Sequence, residues 1–117
     1  MKTVNAVILL GYVASELTTQ NFDNGTSCTQ FALKTRDQHG RGDAVKIEKN
    51  FHNLIAWGSV ANNMTDLLKK GDIVSVMGRV KNKKIEDKNG GKPTFKTEIV
   101  VNEWSKVANA PEDEYNG

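Results

Sequence analysis

Apolar residues alternate with polar ones along much of this chain, as they do in strands that bury one face of a sheet. Turn signals separate the alternating runs: Asp23-Asn24-Gly25 precedes the second run, and residues 87–91 precede the last. Residues 36–44 carry two glycines and mixed charge without apolar periodicity, which predicts a mobile loop. Five strands are therefore predicted, over 4–13, 28–35, 46–57, 73–85 and 93–101.

The period of the pattern changes once, after Gly58, where four apolar residues recur at the spacing of one helix face. They are Val60, Met64, Leu67 and Leu68. Ser59 is placed to cap the N-terminus of this helix, and Gly71 to take a left-handed conformation after its end. Five strands with one helix between the third and fourth is the element order of the OB-fold, a Greek-key barrel. The sequence thus predicts an all-β domain with one helix.

The chain length of 117 residues fits one domain with a real core. We place that domain at residues 1–104 and expect 105–117 to form a disordered acidic tail. No apolar run is long enough to span a bilayer, and no secretory signal is evident, so a cytoplasmic protein is expected. One cysteine and two histidines make a disulfide or a metal site improbable, and no cofactor is predicted.

The net charge of +2 hides an asymmetry along the chain. All sixteen Lys and Arg residues lie within 1–110 together with eleven of the fourteen acids, which gives this part a net charge of +5. The remaining acids are in the last seven residues. A basic body favours a polyanionic partner, although an excess of this size is also ordinary for a soluble protein.

The parity of the third and fourth strands gives the strongest local signal. In the third strand, Phe51 and Trp57 share a face, while Leu54 and Ala56 lie on the other. In the fourth strand the residues of one face are mostly basic. They are Arg79, Lys81, Lys83 and Ile85. Flat rings can stack on bases and cations can pair with phosphates, which together bind an open nucleic-acid strand without reading it.

Two simpler interpretations compete with this one. Phe51 and Trp57 could both be core residues, which is the usual fate of strand aromatics. The lysines at 81, 83 and 84 could serve only to discourage pairing at a strand end. The alternation of the rings with Leu54 and Ala56, beside a row of cations, favours the binding surface.

Eight short segments, in order and in register over about residues 4–102, resemble the bacterial single-stranded DNA-binding protein family. They are VNAVILLG at 4–11, NG at 24–25, FALKT at 31–35, NFH at 50–52, AWG at 56–58, LKKG at 68–71, VMGRV at 76–80 and TEIVVN at 97–102. The resemblance implies an OB-fold, usually a homotetramer, that wraps single-stranded DNA in replication, recombination and repair. It also makes replication or recombination proteins possible partners.

The resemblance assigns stacking roles to Phe51 and Trp57, and roughly to His39. Ile85 stands where the family often has a tryptophan, so one stacking ring is missing there. Binding would then depend more on cations, for which the candidates are Arg36, Lys46, Lys49, Arg79, Lys81, Lys83 and Lys84.

The end of the chain departs most from the family, because the short acidic segment 111–117 lacks a final apolar anchor. A short phage-encoded or plasmid-encoded version would fit, as would a truncated chain. One other function stays open, that of an RNA-binding or primosome-type OB-fold protein. The asymmetric sheet face argues against a purely structural protein. A nuclease is disfavoured because the acids do not cluster as metal-dependent hydrolysis requires, so we expect no enzyme.

Overall fold

The computed structural model describes residues 1–109, and its strands form a closed barrel. The strands are β1 (Val7–Val13), β2 (Thr18–Asn21), β3 (Ser27–His39), β4 (Lys46–Trp57), β5 (Asp72–Ile85) and β6 (Thr94–Asn109). The helix α1 (Gly58–Leu67) joins β4 to β5, and a short 3-10 turn (Gly42–Ala44) joins β3 to β4. The barrel order is β1-β5-β6-β4-β3, closed by pairing of β1 with β3, while β2 adds to the outer edge of β3. The predicted five-stranded OB-fold with one helix is confirmed.

The core follows from the alternation in the sequence. Within the barrel, every second residue of β3, β4 and β5 points inward, as Leu33, Leu54 and Val76 do. Helix α1 contributes Ala61 and Met64, both without solvent exposure, and packs against β3, β4 and β6. One apolar helix face therefore completes a core that the strands alone would leave open.

Gly11 allows the barrel to close. At this position β1 passes so near to β3 that a Cβ atom would collide with the backbone carbonyl oxygen of Lys34. The pairing of β1 with β3 begins immediately afterwards, at Tyr12 opposite Lys34. A residue without a Cβ atom is therefore needed at this close approach of two strands.

Two hairpins extend beyond the barrel, and we call them the β3–β4 arm (residues 36–49) and the β5–β6 arm (residues 81–97). Their residues are exposed almost throughout. Strands β4 and β6 pair only at Leu54 with Ile99 and at Ile55 with Val100, so the arms are not joined to each other by a strand ladder. A cleft of about 250 Å³ lies beside this short pairing, lined by Phe51, His52, Asn53, Thr97 and Ile99.

The structure corrects four details of the prediction. Residues 36–39 continue β3, whereas a mobile loop was expected there, and β2 had no counterpart among the predicted strands. Strand β6 continues to Asn109, so residues 105–109 belong to the barrel and not to a tail. Helix α1 begins at Gly58, which has a φ of +64°, and no side chain caps it, so Ser59 is not the N-cap. The remaining tail residues lie outside the described part of the chain.

Two further observations on residues 1–109 concern membrane-spanning helices and metal-binding clusters. No helix within 1–109 has the length and apolar character needed to cross a membrane. No three His, Cys, Asp or Glu side chains in this part of the chain approach closely enough to hold a metal ion.

Candidate nucleic-acid interface

The outer face of the barrel carries both predicted rings. Phe51 is 64% exposed and Trp57 is 43% exposed, while Leu54 and Ala56 between them are buried in the core. The alternative that both rings belong to the core is therefore wrong for this chain. Exposed rings held in place by a strand are available to stack on planar ligands.

Strand register places the cations of β5 on the same face. Ile55 lies opposite Val100 of β6, and Val100 lies opposite Arg79 of β5. Lys81, Lys83 and Ile85 follow Arg79 at alternate positions and are exposed, as the sequence predicted. On β3 and β4, Arg36 lies opposite Lys49 and joins the same face. Positive side chains thus border the rings on two sides.

Trp57 has an aromatic partner that the sequence pattern did not predict. Phe22, in the turn between β2 and β3, stacks on the Trp57 ring with centroids 5.9 Å apart and an angle of 21° between the planes. This contact covers part of one face of the indole and restrains its rotation. Phe22 precedes the turn signal at Asp23-Asn24-Gly25, but only the pairing of β2 with β3 brings it to Trp57.

A small apolar cluster lies on this face next to Trp57. It consists of Cys28, Ile55 and Val100, all buried. Cys28 is buried, and burial raises the pKa of its thiol, so this residue is a packing group and not a reactive thiolate. The cluster anchors the strand segment from which Trp57 projects.

Three predicted site residues lie on the opposite face of the arms. His39 and Lys46 form a register pair at the end of the β3–β4 arm, one position out of phase with Phe51. His39 Nε2 is 3.3 Å from Glu48 Oε2, and Lys84 Nζ is 3.2 Å from Glu86 Oε1. The structure does not bring these residues together with the rings, so their part in binding stays a prediction.

One acid lies within the basic face. Glu98 of β6 is buried and stands directly opposite Lys81. Its carboxylate lowers the local positive potential between the two rows of cations. Sequence parity could have placed Glu98 on this face, because it alternates with Ile99 along the last predicted strand.

Comparison with known proteins matches this architecture. Residues 4–107 match the single-strand binding protein family. The chain is 26% identical over 98 residues to single-stranded DNA-binding protein 1 of Streptococcus pyogenes, covering 84% of this chain and 74% of that protein. It is 32% identical over 102 residues to single-stranded DNA-binding protein 2 of Listeria monocytogenes, covering 84% of this chain and 60% of that protein. The chain is thus clearly shorter than these relatives.

Solved structures agree on the fold. A Plasmodium falciparum single-strand binding protein in complex with single-stranded DNA superposes with a TM-score of 0.81 at 22% identity, covering 92% of this chain and 97% of that one. A deletion mutant of the Thermus aquaticus single-stranded DNA-binding protein gives a TM-score of 0.76 at 19% identity, covering 89% of this chain and 50% of that one. With a matching barrel and a family match that spans nearly all of the described residues, the chain belongs to the single-strand binding protein family.

Proposed function

We propose that this chain binds single-stranded DNA without reading its base order, and that it coats and protects exposed strands during replication, recombination and repair. One observation supports this most: a single exposed face holds the rings of Phe51 and Trp57 beside the cations of β5. Stacking on one base contributes ~1–3 kcal/mol whatever the base, a value taken from single-strand binding proteins themselves. Cations add attraction to the phosphates.

The proposed surface favours an open strand over a duplex. Bases in a duplex already stack on one another, so exposed rings gain contact only where bases are unpaired. The activity we propose is binding without catalysis, in keeping with membership of a family of binding proteins. The cytoplasm is the proposed location, with replication or recombination proteins as further partners.

Self-association is part of the proposal, with a homotetramer as the expected state. The outward face of β1 exposes Ile8 (70%), directly opposite the exposed Met77 of β5. Contiguous apolar side chains on a barrel surface mark interaction sites. Light scattering should report a mass that is a multiple of the 12.9 kDa chain mass, and Ile8→Glu should lower the observed mass. A monomer at every concentration would contradict this part of the proposal.

Titration of labelled oligonucleotides at several salt concentrations tests the DNA-binding activity. We expect oligo(dT) and a mixed-sequence oligonucleotide to bind with similar affinity. A plot of log K against the logarithm of the salt concentration should have a slope of about −0.7 for each phosphate contact. Duplex DNA of matched length should bind more weakly, and single-stranded RNA of matched length tests the RNA-binding alternative. Affinity for oligo(dT) that does not change with salt would contradict the proposed cation contacts, and preference for RNA would transfer the function to RNA binding.

A further inference from the structure

A row of three side chains crosses the outer face of the barrel at right angles to the strands. Tyr12 of β1 lies opposite Lys34 of β3, and Lys34 lies opposite Phe51 of β4. Directly opposed residues of antiparallel strands have Cβ atoms about 5 Å apart, so Tyr12 and Phe51 are separated by about 10 Å. The ammonium of Lys34 lies 5.4 Å from the centre of the Tyr12 ring. A cation therefore stands between two aromatic side chains.

Lys34 is unusual because it is only 4% exposed, and lysine is rarely buried. Burial lowers the pKa of Lys34, and the positive charges of Lys49 and Arg36 lower it further. Water and salt screen a buried charge much less than a surface charge. Three positive side chains, Lys34, Arg36 and Lys49, are therefore concentrated in this part of the face, where they favour an anionic ligand.

A groove of about 470 Å³ lies beside the row, between β1 and the β3–β4 arm. Its lining residues are Leu10, Gly11, Tyr12, Lys34, Arg36, Asp37, Gln38, Ile47 and Ile73. The lining includes two cations, Lys34 and Arg36, and one acid, Asp37. Its apolar residues come from three strands, β1, β4 and β5. This volume is in the range of small-molecule sites, so the sugar and phosphate of a nucleotide can enter.

We propose that this groove is a phosphodiester subsite, in which Lys34 and Arg36 hold a backbone phosphate of the strand whose base stacks on Phe51. The inference rests on the proposed function and extends the DNA path from β4 across β3 to β1. The register supports it, because Phe51 and Lys34 are direct neighbours and Arg36 is the next residue on the same face of β3. Tyr12 supports the lysine chain from the far side and limits its rotation.

Lys34→Met tests the subsite, with Lys70→Met as the matched control. Lys70 is exposed, lies in the segment between α1 and β5, and is not among the residues that line the groove. In the oligo(dT) titration, Lys34→Met should weaken binding and lower the salt slope by about 0.7, the value for one phosphate contact on a single strand. Lys70→Met should keep the wild-type slope. Without DNA, Lys34→Met should melt at the same temperature as wild type or higher, because an apolar side chain replaces a buried cation.

Arg36→Gln gives a second test should Lys34→Met fold poorly, because Arg36 is exposed and lines the same groove. It should lower the slope by a similar amount. Wild-type slopes in both variants would overturn the subsite. A changed oligomeric state with an unchanged slope would also overturn it, and would assign the groove to a contact between copies. Phe51→Ala in the same titration separates the two proposals: if it weakens binding while both charge variants do not, only the subsite fails.

Discussion

Replacement of Phe51 by alanine should weaken DNA binding, at a cost in stability below that of removing a ring from the core. The ring is 64% exposed, so only about a third of its surface is covered by protein. A phenylalanine side chain buries roughly 200 Å² when fully enclosed, so roughly 70 Å² is covered here. At about 25 cal/mol per Å², truncation costs at most about 2 kcal/mol of folding free energy.

Removal of one stacking ring should cost ~1–3 kcal/mol of DNA-binding free energy, which raises Kd about 5-fold to 150-fold. Polarisation of a labelled oligo(dT) measures the affinity, and thermal melting of the same sample without DNA measures the stability. Phe31→Ala provides the core comparison, because Phe31 is buried and its truncation should cost about 3–5 kcal/mol of stability.

Phe95→Ala is the matched surface control. Phe95 is exposed like Phe51, but it lies opposite Lys84 in the β5–β6 arm and so on the face away from the rings. Its truncation should leave oligo(dT) affinity unchanged. Equal affinity of Phe51→Ala and wild type, or equal losses for Phe51→Ala and Phe95→Ala, would refute the assignment of the stacking face.

Three further predictions follow from the same face. In a Trp104→Phe background, oligo(dT) should quench the fluorescence of Trp57, and emission that stays constant at saturation would place Trp57 away from the bases. Phe22→Ala should weaken binding, because the Trp57 ring loses the partner that restrains its rotation. Glu98→Gln should tighten oligo(dT) binding about twofold to fivefold at low salt and less at high salt, whereas a loss would show that the carboxylate supports the site. The pKa of Cys28 is raised in the folded state, so wild type should lose stability relative to Cys28→Ala as pH rises above 9.0, the ordinary pKa of a thiol; parallel stability curves between pH 8 and 10 would contradict this.

The alternation of residues predicted the barrel because each barrel strand has one buried face. It failed where that condition is absent. Residues 36–39 are exposed on both faces of an arm, and β2 is fully exposed, so neither has an apolar period. In β6, the pairing register with β5 skips Asn102 and Val107. Each skipped residue interrupts the alternation of buried and exposed positions before the strand ends at Asn109.

The same reasoning explains what could be predicted of the site. Parity within one strand is readable from sequence, and it placed Phe51, Trp57 and the β5 cations on one face. Proximity between strands depends on register, which pairs Tyr12 with Lys34 and Lys34 with Phe51 across wide gaps in the chain. No local pattern shows that Phe22 reaches Trp57, or that Lys34 becomes buried.

The arms divide the molecule into regions of different local stability. Beyond the short pairing of β4 with β6, each arm is held mainly by hydrogen bonds across one hairpin, with few buried side chains. Backbone amides in such segments open at a lower free energy than those of the core and exchange hydrogen sooner. The arms carry Arg36, Lys49, Lys81 and Lys83, so a bound strand would touch the part of the protein that opens most readily. Part of the interaction free energy would then be used to order the arms, and slower amide exchange there would record how far a bound strand extends along each hairpin.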